Sequence, residues 1–170
     1  MKVILQMALT ANGMVALPNG DTPFISKIEE LGFVKATKVA GVYVYGHGTF
    51  SALRKADAMP YPHMLNVVMT SAKLKNIWGP SLLLTNKKPR EVLTWLAKLG
   101  YKTVLLGGSK LPTSFLKQKL VDEIVLDIEP ELLGKGIALV APSKLSQKLK
   151  LLSVKKFSQN EVQLRYKVLK

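Results

Sequence analysis

Two short segments combine glycines with hydroxyl side chains in a way that suits phosphate binding. They read GHGTF at 46–50 and GGSKL at 107–111, and each follows an apolar run typical of a strand and opens a segment typical of a helix. A helix N-terminus there would offer unpaired N–H groups and the positive end of the helix dipole, to which Thr49 and Ser109 would add hydroxyl donors. Two such ends in one sheet could hold the two phosphates of a dinucleotide.

Neither segment is a complete nucleotide-binding fingerprint. GHGTF does not continue into G-x-G-x-x-G, no suitably placed acidic residue follows about 20 positions on, and the Walker pattern is absent. The residue types and their spacing therefore favour a ligand-binding α/β domain. They leave open the alternative that the glycines serve only as turns.

The composition excludes several kinds of chemistry. The chain of 170 residues has no Cys, which excludes disulfides, thiolate catalysis and thiolate metal sites. Its two histidines, His47 and His63, are not spaced as metal ligands, so we predict no metal site. No run reaches the roughly 18 apolar residues of a membrane helix, so we expect no membrane partner. The absence of Cys is compatible with a cytoplasmic location, which is the expectation.

The formal net charge of +14 is concentrated toward the C-terminus, where residues 135–170 carry nine Lys or Arg and one acidic residue. One interpretation is nucleic-acid binding. These lysines have strand-like spacing with few aromatic residues between them for base stacking, so a solvated lysine face is favoured over a nucleic-acid partner. Attraction of an anionic small ligand is a third interpretation.

Predicted strands and helices alternate along the chain. Apolar runs predict strands at 2–9, 41–46, 65–70, 81–85, 102–107 and 123–128, and periodicity with capping signals predicts helices over 26–38, 49–55, 89–99 and 112–119. The basic tail predicts two more strands around a turn at 158–160. This alternation indicates a mainly parallel α/β sheet that ends in an antiparallel hairpin, and the lack of a linker predicts one domain over 1–170.

Four segments, taken in order, carry a more specific signal. They are MALTANGMVA (7–16), VYVYGHGTF (42–50), NVVMTS (66–71) and LLGGSKLPTSFLKQKLVDEIVLDIEPELLGKG (105–136). Together they closely resemble the dihydrofolate reductase superfamily, most of all the branch that contains the reductase domain of the riboflavin-pathway deaminase-reductase. The resemblance covers almost the whole chain. It implies a three-layer dihydrofolate-reductase-like fold in which a reduced nicotinamide cofactor, usually NADPH, lies across the carboxyl edge of the sheet.

The resemblance also implies which residues hold the cofactor. Those that would border the nicotinamide are Ala8, Asn12, Gly13, Val15 and Ala16. Those that would hold the pyrophosphate and the adenosine side are Gly46, His47, Gly48 and Thr49, with Thr70, Ser71 and Lys73 at the ribose and its 2′-phosphate. Those that would cover the pyrophosphate and the nicotinamide ribose are Gly107, Gly108, Ser109, Lys110 and Leu111. The family's paired glycines often contain a cis peptide, so the bond between these two glycines is a candidate for one.

Two positions bear on cofactor preference and on catalysis. His47 stands where the family usually has Arg, which would bind a 2′-phosphate with a fixed charge, so a preference for NADPH over NADH would rest on Lys73 or another lysine. The family typically places a catalytic carboxylate on the first helix. Glu30 falls near that position, with Glu29 beside it, and both also fit an ordinary first helical turn.

The substrate-side residues implied by the resemblance are Phe24, Ser26 and Leu126. Leu126 stands where dihydrofolate reductases often have Thr, which counts against folate. The stretch SALRKADAMPYPHML at 51–65 replaces the substrate-phosphate motif of the riboflavin-pathway enzyme and keeps only Arg54 and Asp57 as loose counterparts.

The expectation is an NADPH-dependent reductase of a small-molecule heterocycle. The riboflavin-pathway 5-amino-6-ribosylaminouracil phosphate reductase is the first candidate activity, and dihydrofolate reductase is the second. A cofactor-binding or nucleic-acid-binding protein that kept the fold and lost the chemistry is a third, because fold alone does not set function. The final hairpin and an exposed edge strand could support a homodimer.

Overall fold

A computed structural model of the chain describes residues 1–56, 61, 63–76 and 78–170. Within these residues the strands of the main sheet are β1 (Lys2–Thr10), β3 (Val42–Gly46), β4 (Leu65–Met69), β5 (Leu82–Thr85), β6 (Thr103–Gly107), β7 (Glu123–Glu129), β9 (Leu149–Lys156) and β10 (Val162–Val168). Two short strands, β2 (Met14–Ala16) and β8 (Ile137–Ala138), pair separately. The helices are α1 (Lys27–Ala40), α2 (His47–Lys55), α3 (Pro89–Lys98) and α4 (Lys110–Lys117), with a 3₁₀ turn at Gly79–Ser81.

The main sheet is parallel except at one side. Its strand order is β5-β4-β3-β6-β1-β7-β10-β9, and only the pairs that involve β10 are antiparallel. The predicted α/β fold, with a mainly parallel sheet and a C-terminal antiparallel hairpin, is therefore confirmed. In the part of the chain that the structure describes, no helix has the length and apolar character needed to cross a membrane.

The element bounds differ from the sequence prediction in two informative ways. Helices α2 and α4 each begin two residues earlier than predicted, α2 directly after β3 and α4 two residues beyond the end of β6. The pair β2–β8 was not predicted, because strands of three and two residues are too short to show an alternating pattern.

Alternating side chains of the central strands pack into two apolar layers, one on each face of the sheet. On one face Leu5, Val44 and Leu106 pack with residues of α3 and α4. On the other face Ile4 and Leu105 pack with residues of α1 and α2. Neighbouring residues of a strand point to opposite faces of the sheet. Only the polar side chains on the face that α1 covers can therefore approach the N-terminus of α1.

The first helix is capped at both ends in the way its sequence predicts. Ser26 caps the N-terminus, where its hydroxyl accepts a hydrogen bond from the Glu29 N–H at 3.1 Å. Gly41 ends the helix with φ of 71°, a conformation that favours glycine, and donates its N–H to the Thr37 carbonyl. The Ser26 N–H donates to Glu129 at 3.1 Å, and not to the Glu29 carboxyl as a full capping box would have it.

Candidate functional site

Two helix N-termini meet at the carboxyl edge of the sheet. Strands β3 and β6 are neighbours, with Tyr45 opposite Gly107; α2 begins directly after β3, and α4 begins after the two residues that follow β6. Neither Gly46 nor Ser109, the N-cap residues, makes a side-chain capping hydrogen bond, so backbone N–H groups of both first turns remain for water or a ligand. A Cβ added to Gly46 would lie 3.5 Å from that of Leu111, so the predicted segments 46–49 and 107–111 are adjacent.

Side chains of the protein itself leave no room for a Cβ at either glycine of the pair. A Cβ on Gly107 would lie 1.7 Å from the Tyr43 hydroxyl oxygen, and one on Gly108 would lie 2.6 Å from the Thr49 hydroxyl oxygen. The predicted cis bond is absent: the Gly107–Gly108 peptide is trans, like every peptide bond among the described residues. The chain makes this turn through Gly108, whose φ is 89° and whose N–H donates to the Met7 sulfur at 3.1 Å.

The Ser109 hydroxyl is already engaged within the protein. It donates to the Ala138 carbonyl at 2.5 Å and thereby ties the start of α4 to β8. A serine hydroxyl has a single proton to donate, so this side chain is not a free donor for a phosphate, in contrast to the expectation from the sequence. Lys110 is exposed and Leu111 is half-buried at the same helix start.

The segment predicted to border the nicotinamide is fixed by the small β2–β8 sheet. Asn12 joins it to the stretch before β8, donating to the Leu133 carbonyl at 2.8 Å and accepting from the Leu133 N–H at 3.2 Å. Gly13 makes the turn into β2 with φ of 85°. The buried members of this segment are Ala8, Val15 and Ala16.

The residues predicted for the adenosine side line the outer end of the same edge. His47 is exposed, and its Nδ1 lies 3.5 Å from the Thr70 hydroxyl, while Ser71 and Lys73 are exposed in the loop after β4. A groove of about 420 Å³ runs beside them along α2. Its lining residues are His47, Phe50, Ser51, Arg54, Lys55 and Leu74. Asp57, the other predicted counterpart of a substrate-phosphate residue, lies outside the described residues.

Three buried carboxyl groups converge where α1 begins over the end of β7. Glu29, Asp127 and Glu129 have exposed fractions of 5%, 2% and 2%. Glu30, the acid predicted to be catalytic, is exposed on the other side of the helix. Consecutive helical residues are about 100° apart, so only one of the two glutamates can face the sheet.

Amide and backbone groups hold the two β7 carboxyls in place. Asp127 accepts from Gln6 Nε2 at 3.1 Å and from Gln163 Nε2 at 2.7 Å, and Glu129 accepts from the Ser26 N–H. Leu126, the β7 residue predicted on the substrate side, points the opposite way and packs against the α3–α4 layer. The residue of this strand that faces α1 is therefore Asp127, one position farther on.

Burial favours the protonated forms of these three acids, and at Glu29 and Glu129 the neighbouring charges add to its effect. Burial, followed by the charges of Asp127, Glu129 and Glu30, raises the pKa of Glu29 to about 8. Burial also raises the pKa values of Asp127 and Glu129 above their ordinary range. At neutral pH Glu29 thus carries a proton that it can donate, a property typical of general acids.

The loop before α1 packs against α2. Asp21 forms an ion pair with Lys55 at 2.9 Å, and Gly20 approaches Ala52 of α2. Phe24, predicted on the substrate side, is buried in this loop. The described residues contain no group of three or more His, Asp or Glu side chains arranged to hold a metal ion.

Several site residues escaped the sequence analysis, namely Gln6, Glu29 as the buried acid, Tyr43, Asp127 and Glu129. A signal for two of them was present: in EIVLDIE at 123–129 the acids at 127 and 129 share a strand face with Val125. Charged residues on a strand face that also carries a core residue are uncommon unless they have partners or a function.

A family model for the RibD C-terminal domain matches residues 1–163. The uncharacterized protein YyaP of Bacillus subtilis (strain 168) is 24% identical over 176 residues, which cover 97% of this chain and 94% of that protein.

Among solved structures, a Shewanella sp. PV-4 protein assigned to riboflavin biosynthesis superposes with a TM-score of 0.85 at 20% identity, with all of both chains covered. The Thermotoga maritima diaminohydroxyphosphoribosylaminopyrimidine deaminase/5-amino-6-(5-phosphoribosylamino)uracil reductase gives 0.74 at 16% identity, covering 99% of this chain and 56% of that one. Dihydrofolate reductase from Enterococcus faecalis, complexed with NADP(H), gives 0.72 at 16% identity, with 98% and 96% covered.

At these identities the structural likenesses establish the dihydrofolate-reductase-like fold alone, as the sequence predicted. The family model matches residues 1–163, nearly the whole chain. On that ground the chain belongs to the RibD C-terminal domain family.

Proposed function

We propose that the chain is an NADPH-dependent oxidoreductase that reduces a small nitrogen heterocycle. Membership of its family supports a riboflavin-pathway reductase-like role. The observation that carries the proposal at the level of residues is the buried Glu29 carboxyl beside Asp127 and Glu129. A buried acid that keeps its proton near neutral pH is the group that hydride transfer to a heterocycle requires as a proton source.

The paired helix starts fit the phosphates of a dinucleotide. Uncapped backbone N–H groups within 46–49 and 107–111 would hold the pyrophosphate, and His47, Thr70 and Lys73 would serve the adenosine side. When bound, NADPH supplies the hydride. The segment 12–16 would border the reacting end with its backbone groups.

The acidic site would supply the proton. Both candidate substrates can present a C=N bond, in the pterin ring of dihydrofolate or in the ring-opened form of the ribosylamino group. Hydride added to the carbon of that bond leaves negative charge on the nitrogen, and the Glu29 carboxyl would donate its proton there. The bond is thereby reduced by two electrons and gains two hydrogen atoms. Hydrogen bonds from Gln6 and Gln163 fix Asp127, whose nearby charge helps to raise the Glu29 pKa.

Two substrates are candidates. The first is the 5-amino-6-ribosylaminouracil phosphate of riboflavin biosynthesis, supported by the family and by the activity named for the Thermotoga maritima neighbour. The second is dihydrofolate, supported by a buried acid in the first turn of α1, which is where dihydrofolate reductases typically carry one.

Titration of the purified chain with NADPH, followed by cofactor fluorescence, tests the proposal. We expect saturable binding below about 1 mM NADPH, followed by NADPH oxidation with one of the two candidate substrates. A chain that binds no NADPH at millimolar concentration would contradict the reductase function. Salt-dependent binding to DNA or RNA in such a chain would support the third alternative, a protein that kept the fold without its chemistry.

A further inference from the structure

The Tyr43 side chain crosses from its own strand to the end of β6. Tyr43 pairs with Leu105 in the sheet, yet its hydroxyl oxygen lies where a Cβ of Gly107 would be, 1.7 Å from that position. The hydroxyl therefore rests against the first glycine of the pair, at the edge where α4 begins.

Neighbouring aromatic rings fix the Tyr43 ring in this position. The ring centre lies 5.3 Å from that of Phe33 on α1, 4.7 Å from that of Tyr45 and 6.3 Å from that of Tyr61. Contacts of this kind on several sides leave the ring little freedom to turn away. The position of the hydroxyl is thus a property of the folded chain.

The Tyr43 hydroxyl makes no hydrogen bond to another described residue. The side chain is 5% exposed, and its hydroxyl is not among the fully buried polar atoms that lack a partner, of which the Tyr45 hydroxyl is one, so a ligand at this edge can reach it. Burial, the neighbouring tyrosines and the Glu29 charge together raise the pKa of Tyr43 well above its ordinary value, so the hydroxyl keeps its proton throughout the working pH range. A protonated hydroxyl in this position can donate a hydrogen bond to a bound ligand.

The position of Tyr43 assigns it to the reacting end of the cofactor. It lies on the face of the sheet that α1 covers, and the charge of Glu29 on that helix is one of the causes that raise the Tyr43 pKa. The adenosine-side residues His47 and Thr70 lie on the same face but toward β4, beside the groove along α2. We infer that the Tyr43 hydroxyl donates a hydrogen bond to the carboxamide oxygen of the bound nicotinamide, an inference that rests on the proposed function.

The test compares Tyr43→Phe with the unmodified chain in binding two ligands. NADPH carries the nicotinamide, whereas adenosine 2′,5′-bisphosphate carries only the adenosine end. Phe keeps the ring and its packing, so we expect the NADPH dissociation constant to rise roughly fivefold to tenfold, the effect of one hydrogen bond. The affinity for the bisphosphate should stay within about twofold. The matched control is Tyr101→Phe, which removes a hydroxyl just before β6, at the opposite end of that strand.

The outcomes separate this inference from the proposed function. Equal NADPH affinity in Tyr43→Phe and the unmodified chain would overturn the role of Tyr43 and leave the reductase proposal intact. An equal loss for both ligands would also overturn it, because it would indicate a general disturbance of the edge. Failure of the unmodified chain to bind NADPH would overturn the proposed function and, with it, the inference.

Discussion

Glu29→Gln is expected to lower turnover by about 10²-fold or more and, at the same time, to make the folded chain more stable at pH 8. The loss of turnover follows from the loss of the donated proton. The gain in stability follows from the shift of the Glu29 pKa from 4.5 to about 8. The folded state binds this proton more tightly than the unfolded state, so the free energy of unfolding falls as pH rises through that interval.

Gln cannot ionise, so the Glu29→Gln chain does not lose this part of its free energy of unfolding as pH rises. We expect the stability gain to be small at pH 5 and to grow to on the order of a few kcal/mol by pH 8 to 9. Urea unfolding at several pH values measures it, alongside turnover. Glu30→Gln is the matched control, because Glu30 is exposed one position away. It should leave turnover nearly unchanged and alter stability much less than Glu29→Gln, since the Glu30 charge is the smallest of the causes that raise the Glu29 pKa. Loss of turnover in Glu30→Gln with normal turnover in Glu29→Gln would show that the exposed acid is the catalytic one.

Gly107→Ala is expected to destabilise the chain by about 3 kcal/mol. The added methyl group would lie 1.7 Å from the Tyr43 hydroxyl oxygen and 2.4 Å from the ring carbon that bears it. The ring packs against Phe33 and Tyr45, so it cannot move away from the added methyl group without disturbing them. The measurement is the free energy of unfolding in urea.

Two further variants make this result specific to the contact. Gly48→Ala adds a methyl group within α2 where nothing lies within 4 Å, so it should be neutral or stabilise by up to about 1 kcal/mol. The double variant Gly107→Ala with Tyr43→Ala should recover part of the loss relative to the sum of the single changes. A Gly107→Ala chain as stable as the unmodified one would show that Tyr43 does not occupy this space.

The fold and the meeting of two helix starts at one edge of the sheet could be predicted from the sequence because both depend on signals that extend over many residues. The hydrophobic periodicity predicted the alternation of strands and helices, and the glycine segments indicated where α2 and α4 begin. What the segments could not reveal was why Gly107 and Gly108 must be bare. Tyr43 and Thr49, which approach them, lie about sixty residues earlier in the chain, and only the pairing of β3 with β6 brings them there.

The sequence analysis came within one residue of the buried acids on both α1 and β7, because it favoured Glu30 over Glu29 and named Leu126 in place of Asp127. In a helix, moving from Glu30 to Glu29 turns the side chain from solvent to the sheet, and in a strand, moving from Leu126 to Asp127 reverses the face. A resemblance between whole segments is still recognised after a shift of one residue. A proton donor on the wrong face of its helix or strand, however, does not point into the site. The alternation of apolar and acidic residues at the end of β7 was the local clue to the correct register.

A crystal structure of the full chain with NADPH bound tests the central claim most directly. We expect the pyrophosphate between the starts of α2 and α4, and the nicotinamide on the α1 face of the sheet beside Gly107, within reach of the Tyr43 hydroxyl and open toward Glu29. A nicotinamide on the α3–α4 face, or a cofactor held away from segments 46–49 and 107–111, would contradict this account.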